Sequence, residues 1–232
     1  LAEAVAMATG KTLFGGDNPT RPLRVWCFNA EDPRDEQMRR LSATMEHFGL
    51  ANADLCGRLF LTSGRDLPLR LAQMGRDGPE VVPGVVDKLV DVIRAASVDV
   101  WVLDPLGAVH TLPENDNAGM NVLLAALREI ADRTGAAIVL VHHTSKVAAS
   151  DMASAGANAA RGASALVDGA RVVRQLGRMT VEEARQFGVV GEDRFKFVRV
   201  DNGKANLAPA AKAVWRELVS VPLGNGTSEY PG

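Results

Sequence analysis

The amino-acid sequence predicts an α/β domain with helices packed on both faces of a mostly parallel, doubly wound sheet. Short apolar runs rich in β-branched residues, expected to be its central strands, lie at 25–30, 99–103 and 136–141. They alternate with longer segments whose apolar residues recur at helical spacing. Each run ends in polar or charged residues, and ligands of open α/β sheets bind outside the carboxyl ends of the strands. We therefore expect a single functional site along that edge.

The first half of the chain alternates helix and strand. Residues 1–9 are strong helix formers that stop at Gly10, a typical residue after a helix C-terminus. Residues 25–30 form the first strand, and the helix after it, 33–47, carries apolar residues at spacings of three and four. The next predicted elements are a strand at 58–62, a loop or hairpin at 63–84 and an amphipathic helix at 85–96.

The second half begins with the apolar run that ends in Asp104, followed by a polar loop at 107–117. A further strand or helical turn is expected around Trp215. Between these lie a helix at 118–134, a strand at 136–141, a loop rich in Ala, Ser and Gly at 147–160, a short helix at 161–168, a strand at 170–176, a helix at 181–187 capped by Thr180, and a strand at 194–201 that runs into an Asn202-Gly203 hairpin turn.

The composition fits one globular domain of this class. Of 232 residues, 47% are hydrophobic, 23% charged and 5% aromatic, which allows a substantial core. The formal net charge of −2 means that contact with nucleic acid would have to come from local basic patches. The two cysteines make no disulfide or metal spacing, and no run approaches the roughly 18 apolar residues of a membrane span. We expect a cytoplasmic protein without a membrane segment.

The run at 98–107 carries the first functional signal. It is apolar until Asp104 and is then closed by Pro105 and Gly107. An apolar strand that ends in Asp is the Walker B pattern, in which the carboxylate holds the Mg²⁺ of a bound nucleoside triphosphate. An Asp at this position is also a common turn former or helix cap, so the other strand ends must support the nucleotide interpretation.

Four strand-associated residues together resemble the RecA-like ATPase core, in particular that of RepA-type hexameric replicative helicases and the AAA-family ATPases grouped with them. They are Glu31, Asp104, His143 and Arg171. The motifs of this resemblance, which covers residues 1–210, are Ala-Glu-Asp-Pro at 30–33, Val-Leu-Asp-Pro-Leu at 102–106, Val-His-His-Thr-Ser-Lys at 141–146, Arg-Gly-Ala-Ser-Ala-Leu-Val-Asp at 161–168 and Lys-Ala-Asn at 204–206. The implied fold is a three-layer RecA-like α/β domain with a mostly parallel central sheet, followed by a C-terminal extension at 211–232.

The resemblance implies catalytic roles for the first two of these residues. Glu31 would be the general base that orients or deprotonates the attacking water, because phosphoryl transfer needs its nucleophile in line. The alternative for Glu31 is a helix N-cap, although Asp32, which precedes Pro33 at the expected first helical position, is the better candidate for that role. Asp104 would bind Mg²⁺ through water.

Two further roles depend on a choice between neighbouring residues. His143 resembles the sensor that hydrogen-bonds the γ-phosphate, and strand alternation decides between it and His142. Arg171 resembles the arginine finger that reaches the nucleotide of a neighbouring subunit; it competes with Arg174, and a surface arginine is the alternative for both. A finger in trans implies a homo-oligomer, by the resemblance a hexameric ring.

Contacts with single-stranded DNA are implied for residues near the Ala/Ser/Gly loop. Lys146 and Arg161 occupy the position of a loop that contacts DNA in RecA-like proteins. The loop at 107–117, in the position of a second such loop, is acidic and has no Lys or Arg, which argues against phosphate contact there. Lys204 is either a contact to a neighbour's γ-phosphate or a solvated lysine.

The sequence departs from the resemblance at the phosphate-binding motif. Gly-x-x-x-x-Gly-Lys-[Ser/Thr] should lie between a strand and a helix, whereas Gly10-Lys11-Thr12 follows a predicted helix and has Val5 in place of the first glycine. We expect the motif upstream of Leu1, so that the chain alone would bind ATP weakly. No Gly-x-Gly-x-x-Gly follows any predicted strand, which argues against a dinucleotide-dependent oxidoreductase.

The predicted function of the intact protein is ATP hydrolysis, with Mg²⁺, coupled to translocation on single-stranded DNA, as in a replicative helicase. Two alternatives stay open. One is a RecA-like recombination or regulatory ATPase that does not unwind DNA, and the other is a non-catalytic module for nucleic-acid binding or assembly.

Overall fold

The computed structural model describes residues 1–15, 19–143, 164–205 and 213–225. The chain divides into two compact units. The first comprises Leu1–His142 and the described residues 221–225, and the second comprises the described part of His143–Ser220. Of the helices in the described part of the chain, none has both the length and the apolar composition that crossing a bilayer requires.

The first unit contains five helices and six strands among its described residues. In chain order they are α1 (Ala2–Thr9), β1 (Val25–Asn29), α2 (Arg34–His47), α3 (Asn52–Leu55), β2 (Leu59–Ser63), β3 (Ala72–Met74), β4 (Pro79–Val81), α4 (Val85–Ala95), β5 (Val100–Asp104), α5 (Asn117–Thr134) and β6 (Ala137–Leu140). A 3₁₀ turn, Leu106–Val109, opens the polar loop after β5.

Four of these strands form the central sheet, in the order β2-β1-β5-β6, and all three pairings are parallel. This confirms the predicted parallel sheet, which follows from apolar strands joined by helical crossovers. The three runs expected at its centre are neighbours. Within the described residues, β6 stands at one end of the order.

The two faces of the sheet carry separate parts of the core, because side chains alternate along each strand. On one face Val25 and Val100 are buried together with Ala4 and Ala8 of α1. On the other face Trp26 and Trp101 stack with their ring centroids 5.2 Å apart. Helix α5 contacts both α4 and β6. The predicted amphipathic helices therefore bury their apolar sides, and both faces are covered.

The segment predicted as loop or hairpin at 63–84 contains the antiparallel hairpin β3-β4. It is tied to the loop after β5, because Leu71 N donates to Val109 O at 2.7 Å and Ala72 forms a parallel bridge with His110. The beginning of the loop at 107–117 is thus fixed to a second part of the first unit.

The second unit contains a three-stranded antiparallel sheet in the order β7-β8-β9. Its elements are α6 (Ser164–Gly169), β7 (Val172–Arg178), α7 (Val181–Phe187), a 3₁₀ helix at Gly191–Lys196, β8 (Phe197–Ala205) and β9 (Val214–Glu217). Thr180 caps α7, as predicted, in a capping box with Glu183.

One local prediction for this unit is wrong. The Asn202-Gly203 pair makes no hairpin turn, because β8 continues through it to Ala205. The register shifts here: Val173 pairs with Lys204 and Arg174 pairs with Asn202. Gly203 is the extra residue, and a glycine accommodates a bulge readily because it lacks a side chain.

Candidate functional site

The parallel register of β1 and β5 brings Glu31 and Asp104 to the same edge of the central sheet. Asn29, the last residue of β1, is the Cα partner of Asp104, the last residue of β5. The backbone N–H of Ala30 donates to the Asp104 carbonyl oxygen at 2.7 Å. Glu31 therefore follows one residue beyond the point where the two strands last join, at the carboxyl ends where ligands of such sheets bind.

Asn29 closes the turn that carries Glu31. Its side-chain oxygen accepts hydrogen bonds from Glu31 N at 2.9 Å and from Asp32 N at 2.7 Å. Its amide nitrogen donates to the Asp32 carboxylate at 3.3 Å. This is the Asx-turn behaviour for which Asn is favoured, since its short side chain binds backbone groups two or three residues ahead.

The end of β2 supports the same turn from the other side. Ser63 Oγ donates to Asp32 O at 2.9 Å, and Arg65 Nε donates to Glu31 O at 2.6 Å. Gly64 N donates to Asn29 O at 2.8 Å. The three residues 63–65 therefore hold the main chain around Glu31, whose own side chain is exposed.

Neither acid in this turn caps α2. The helix begins at Arg34, with Pro33 as its N-cap in extended conformation and without a side-chain cap bond. The expectation that Asp32 caps the helix and that Pro33 is its first residue is therefore wrong. Asp32 instead forms an ion pair with Arg40, at 2.9 Å, and accepts from Asn29.

Asp104 is half-buried at the edge of the sheet. Its negative charge contributes, after burial, to raising the pKa of the Cys27 thiol to about 11, so this thiol stays protonated at neutral pH. Within the described residues no group of three or more acidic, His or Cys side chains forms a complete metal site. A single carboxylate nevertheless fits Mg²⁺, which in nucleotide sites keeps several waters and uses one or two carboxylates plus phosphate oxygens.

The end of β6 is adjacent to Asp104 through the sheet. Val141 N donates to Leu103 O at 2.9 Å, and Leu106 N donates to Val141 O at 2.8 Å. His142 follows as a half-buried residue of the first unit, whereas His143 is exposed and belongs to the second unit. The choice of His143 over His142 as phosphate sensor stays a prediction.

His110 is the most buried titratable side chain near this edge. It is 7% exposed, and its Nδ1 accepts from Leu112 N at 3.1 Å, which leaves the proton on Nε2. Among the described residues that Nε2 has no hydrogen-bond partner. Burial lowers the pKa of His110, with His142 adding to this effect and Glu114 opposing it.

The second unit contains three of the other predicted residues. Arg171 is exposed and immediately precedes β7, and Arg174 lies within β7 opposite Asn202. Lys204 Nζ donates to the carbonyl oxygens of Val167 and Asp168, at 3.1 and 3.0 Å. It thus satisfies carbonyl groups near the end of α6, so a contact with a neighbour's phosphate would require these bonds to open. Lys146 and Arg161 lie outside the described residues.

The Gly10-Lys11-Thr12 sequence does not open a helix. Gly10 ends α1 in a left-handed conformation, with φ 69°, and Lys11 forms an ion pair with Asp54 at 2.7 Å. A phosphate-binding loop needs backbone N–H groups at a helix N-terminus, whereas this segment lies at a C-terminus. This agrees with the expectation that the sequence resembles the motif only by chance.

Sequence reasoning missed the residues that shape the Glu31 turn. Asn29 carried a usable signal, since an Asn that ends a strand two residues before an acid is typical of an Asx turn. Ser63 and Arg65 carried none, because their contacts join residues 31 and 34 positions apart in the chain.

Comparisons with known proteins agree with this architecture. A family model described as AAA domain matches residues 1–149. The structure of the RadB recombinase is 13% identical, with 85% of this chain and 76% of that chain covered and a TM-score of 0.51. The structure of a helicase ATPase domain is 12% identical, with 82% and 69% covered and a TM-score of 0.55. At these identities the two structures show the fold alone, and that fold is RecA-like.

Proposed function

The chain belongs to the AAA domain family, and from this premise we propose that it is the core of an ATPase that couples ATP hydrolysis to movement along single-stranded DNA. The family and the RecA-like fold support an ATPase core of this kind. The replicative-helicase role is the finer part of the proposal. It rests on the motif resemblance and on a fold shared with the helicase ATPase domain.

The observation that carries the proposal is the register that aligns Asn29 with Asp104. It leaves one carboxylate at the end of β5 and a second, on Glu31, just past the end of β1. Phosphoryl transfer needs one group to hold the metal and another to orient the nucleophile, and two acids on adjacent strands can divide these tasks. Glu31 is assigned to orient the attacking water and take its proton.

Asp104 is the residue that would hold Mg²⁺ in this proposal. The ion would supply neutralisation of the negative charge on the phosphate oxygens. Asp104 fits this role because a lone carboxylate leaves most of the coordination sphere to water and nucleotide, the arrangement that Mg²⁺ prefers. Its half-buried position at the end of β5 limits the directions from which a ligand can approach it.

The remaining assignments concern contacts beyond one subunit. Arg171, or in its place Arg174, would reach the nucleotide of a neighbouring copy, which makes a homo-oligomeric ring, proposed as a hexamer, the active form. His143 is assigned as the sensor of the γ-phosphate, and Lys204 as a further contact in trans. The pair Lys146 and Arg161 would contact single-stranded DNA through its phosphates. We place the protein in the cytoplasm, with its core at 1–210.

A second candidate function is a recombination ATPase that does not unwind DNA. It is favoured by the fold shared with the RadB recombinase, whose TM-score of 0.51 is close to the 0.55 of the helicase ATPase domain. The two candidates share the assignments of Glu31 and Asp104. They differ in whether ATP hydrolysis separates duplex strands.

The test compares two acidic variants of the full-length protein with a matched control. Glu31→Gln should keep ATP affinity and lower kcat by about 10²–10⁴, the usual contribution of a general base. Asp104→Asn should weaken Mg²⁺-dependent ATP binding as well as turnover. Asp91→Asn, an exposed acid on α4, should change neither.

Wild-type turnover is measured with and without single-stranded DNA, and strand separation is followed on a forked duplex. Turnover that rises with single-stranded DNA together with strand separation supports the helicase role. Stimulated turnover without strand separation supports the recombination ATPase. Unchanged turnover in Glu31→Gln would refute the catalytic assignment, and absence of ATP hydrolysis in the wild type would refute both functions.

A further inference from the structure

The main chain around Glu31 is bonded more completely than an ordinary exposed turn. The three N–H groups of residues 30–32 and the carbonyl groups of Glu31 and Asp32 all take part in hydrogen bonds. None of these bonds belongs to a helix, and exposed turns commonly leave such groups to water. The bonding is therefore a specific feature of this turn.

We propose that Asn29, Ser63 and Arg65 are positioning residues that fix Glu31 for catalysis; this inference rests on the proposed role of Glu31 as general base. Their bonds are made to the backbone of residues 31 and 32. They thereby fix the Cα of Glu31 while its exposed side chain can reach a ligand. We refer to these three residues as the Glu31 cradle.

Asn29 is the central member of the Glu31 cradle. One oxygen accepts from both Glu31 N and Asp32 N, so the side chain sets the direction in which the chain leaves β1. Asn29 is itself fixed between two strands, as the Cα partner of Asp104 on β5 and of Ser63 on β2. The position of Glu31 is thus referred directly to that of the metal-binding candidate Asp104.

The two members at the end of β2 hold the carbonyl side of the turn. Arg65 Nε donates to Glu31 O at 2.6 Å, and Ser63 Oγ donates to Asp32 O at 2.9 Å. Ser63 is 2% exposed and also accepts from Arg65 N at 3.2 Å, which links the two. Buried Gln37 adds a bond to Asp32 O, at 3.2 Å, from α2. Side chains from two elements therefore converge on two carbonyl groups.

Such bonding matters for a general base because the rate depends steeply on its placement. A displacement of about 1 Å can lower the rate by about 10²-fold, since the attacking water must lie in line with the bond that breaks. A turn that serves only folding would affect stability but would not act on turnover through Glu31. This difference makes the proposal testable.

The experiment uses the full-length protein with Asn29→Ala, Asn29→Ser and Arg65→Ala, each with and without Glu31→Gln. We expect Asn29→Ala to lower kcat by about 10–100-fold with ATP affinity nearly unchanged. Asn29→Ser should recover part of the loss, since a Ser hydroxyl makes the same turn more weakly. In the Glu31→Gln background the cradle variants should lower kcat little further, because residues that act through one group are not additive.

Thr134→Ala is the matched control. Thr134 Oγ1 donates to Ile130 O at 2.7 Å and accepts from Ala136 N at 3.2 Å, just before β6 at the opposite edge of the sheet. This variant removes a comparable set of side-chain-to-backbone bonds and should leave kcat unchanged. Amide hydrogen exchange at Glu31 and Asp32 should accelerate in Asn29→Ala but not in the control, an effect that needs no turnover to observe.

The outcomes separate this inference from the proposed function. If Glu31→Gln abolishes turnover but Asn29→Ala and Arg65→Ala leave kcat at the wild-type value, the cradle is structural and the proposal fails. An Asn29→Ala effect that is fully additive with Glu31→Gln would also overturn it. If Glu31→Gln retains full turnover, the assignment of the general base fails instead. Should Asn29→Ala not fold, Asn29→Ser and Arg65→Ala decide by the same comparisons.

Discussion

Replacement of Gly64 by Ala should displace the segment that carries Glu31. A methyl group at this position would lie 2.8 Å from the Ala30 Cα, 3.1 Å from the Ala30 Cβ and 3.0 Å from the Phe28 ring. Carbon atoms pack best about 3.5–4.0 Å apart, so the two chains must separate by about 1 Å. The nearest atom belongs to the backbone and cannot turn aside. Because Ala30 adjoins Glu31, the displacement reaches the proposed base directly.

The size of the effect follows from this geometry. Insertion of one extra carbon into a packed region costs about 1–3 kcal/mol. For a chain of this size each kcal/mol lowers Tm by about 2–4 °C, so we expect a fall of roughly 2–12 °C. A shift of about 1 Å at a catalytic group lowers kcat by up to about 10²-fold. The loss of turnover should therefore exceed what partial unfolding at the assay temperature explains.

The assay measures thermal unfolding and single-turnover ATP hydrolysis on the same preparation of the full-length protein. Gly75→Ala is the control, because its methyl group would meet only the Glu80 carboxylate, the mobile end of a side chain, in the β3-β4 hairpin. The control should keep the wild-type rate. A Gly64→Ala protein with both wild-type Tm and wild-type kcat would refute the reasoning, since the contact at 2.8 Å would then have no consequence.

Two further predictions address assembly and pH. Arg171→Ala should lower turnover by about 10³–10⁵ with ATP affinity nearly intact, and mixing it with Glu31→Ala subunits should restore activity; no recovery in rings shown to be mixed would transfer the role to Arg174. Burial lowers the pKa of His110, so the unfolded chain binds a proton there first and stability should fall as the pH drops through about 6.5. His110→Leu should remove this dependence in urea unfolding measured between about pH 5.5 and 7.5, and an identical slope in both proteins would contradict the assignment.

The sequence was sufficient for the sheet and for the general position of the site. Apolar runs separated by amphipathic helices predicted parallel strands, and β1, β5 and β6 do pair in parallel. Since parallel strands all point the same way, residues that follow them lie at one edge whatever the details of packing. This is why Glu31 and Asp104 could be assigned to the same edge from sequence alone. The roles of the two acids stay predictions.

Local rules failed where a longer-range contact competed with them. Asp32 before Pro33 has the sequence of a helix cap, yet its carboxylate pairs with Arg40 and helix α2 begins at Arg34. Asn202-Gly203 has the sequence of a hairpin turn, yet pairing with β7 continues β8 through it and leaves Gly203 in a bulge. In each case bonds to residues more distant in the chain outweighed a preference of the local backbone.

The sequence by itself determined which residues end the strands, because periodicity and turn chemistry act over a few neighbouring residues. Only the tertiary structure decided what holds Glu31 in place. Arg65 and Ser63 reach its turn across 34 and 31 positions of chain, and Gly64 lies against Ala30 without room for a side chain. These contacts depend on β2 lying beside β1, and strand order is set by the packing of whole elements, which no local pattern encodes.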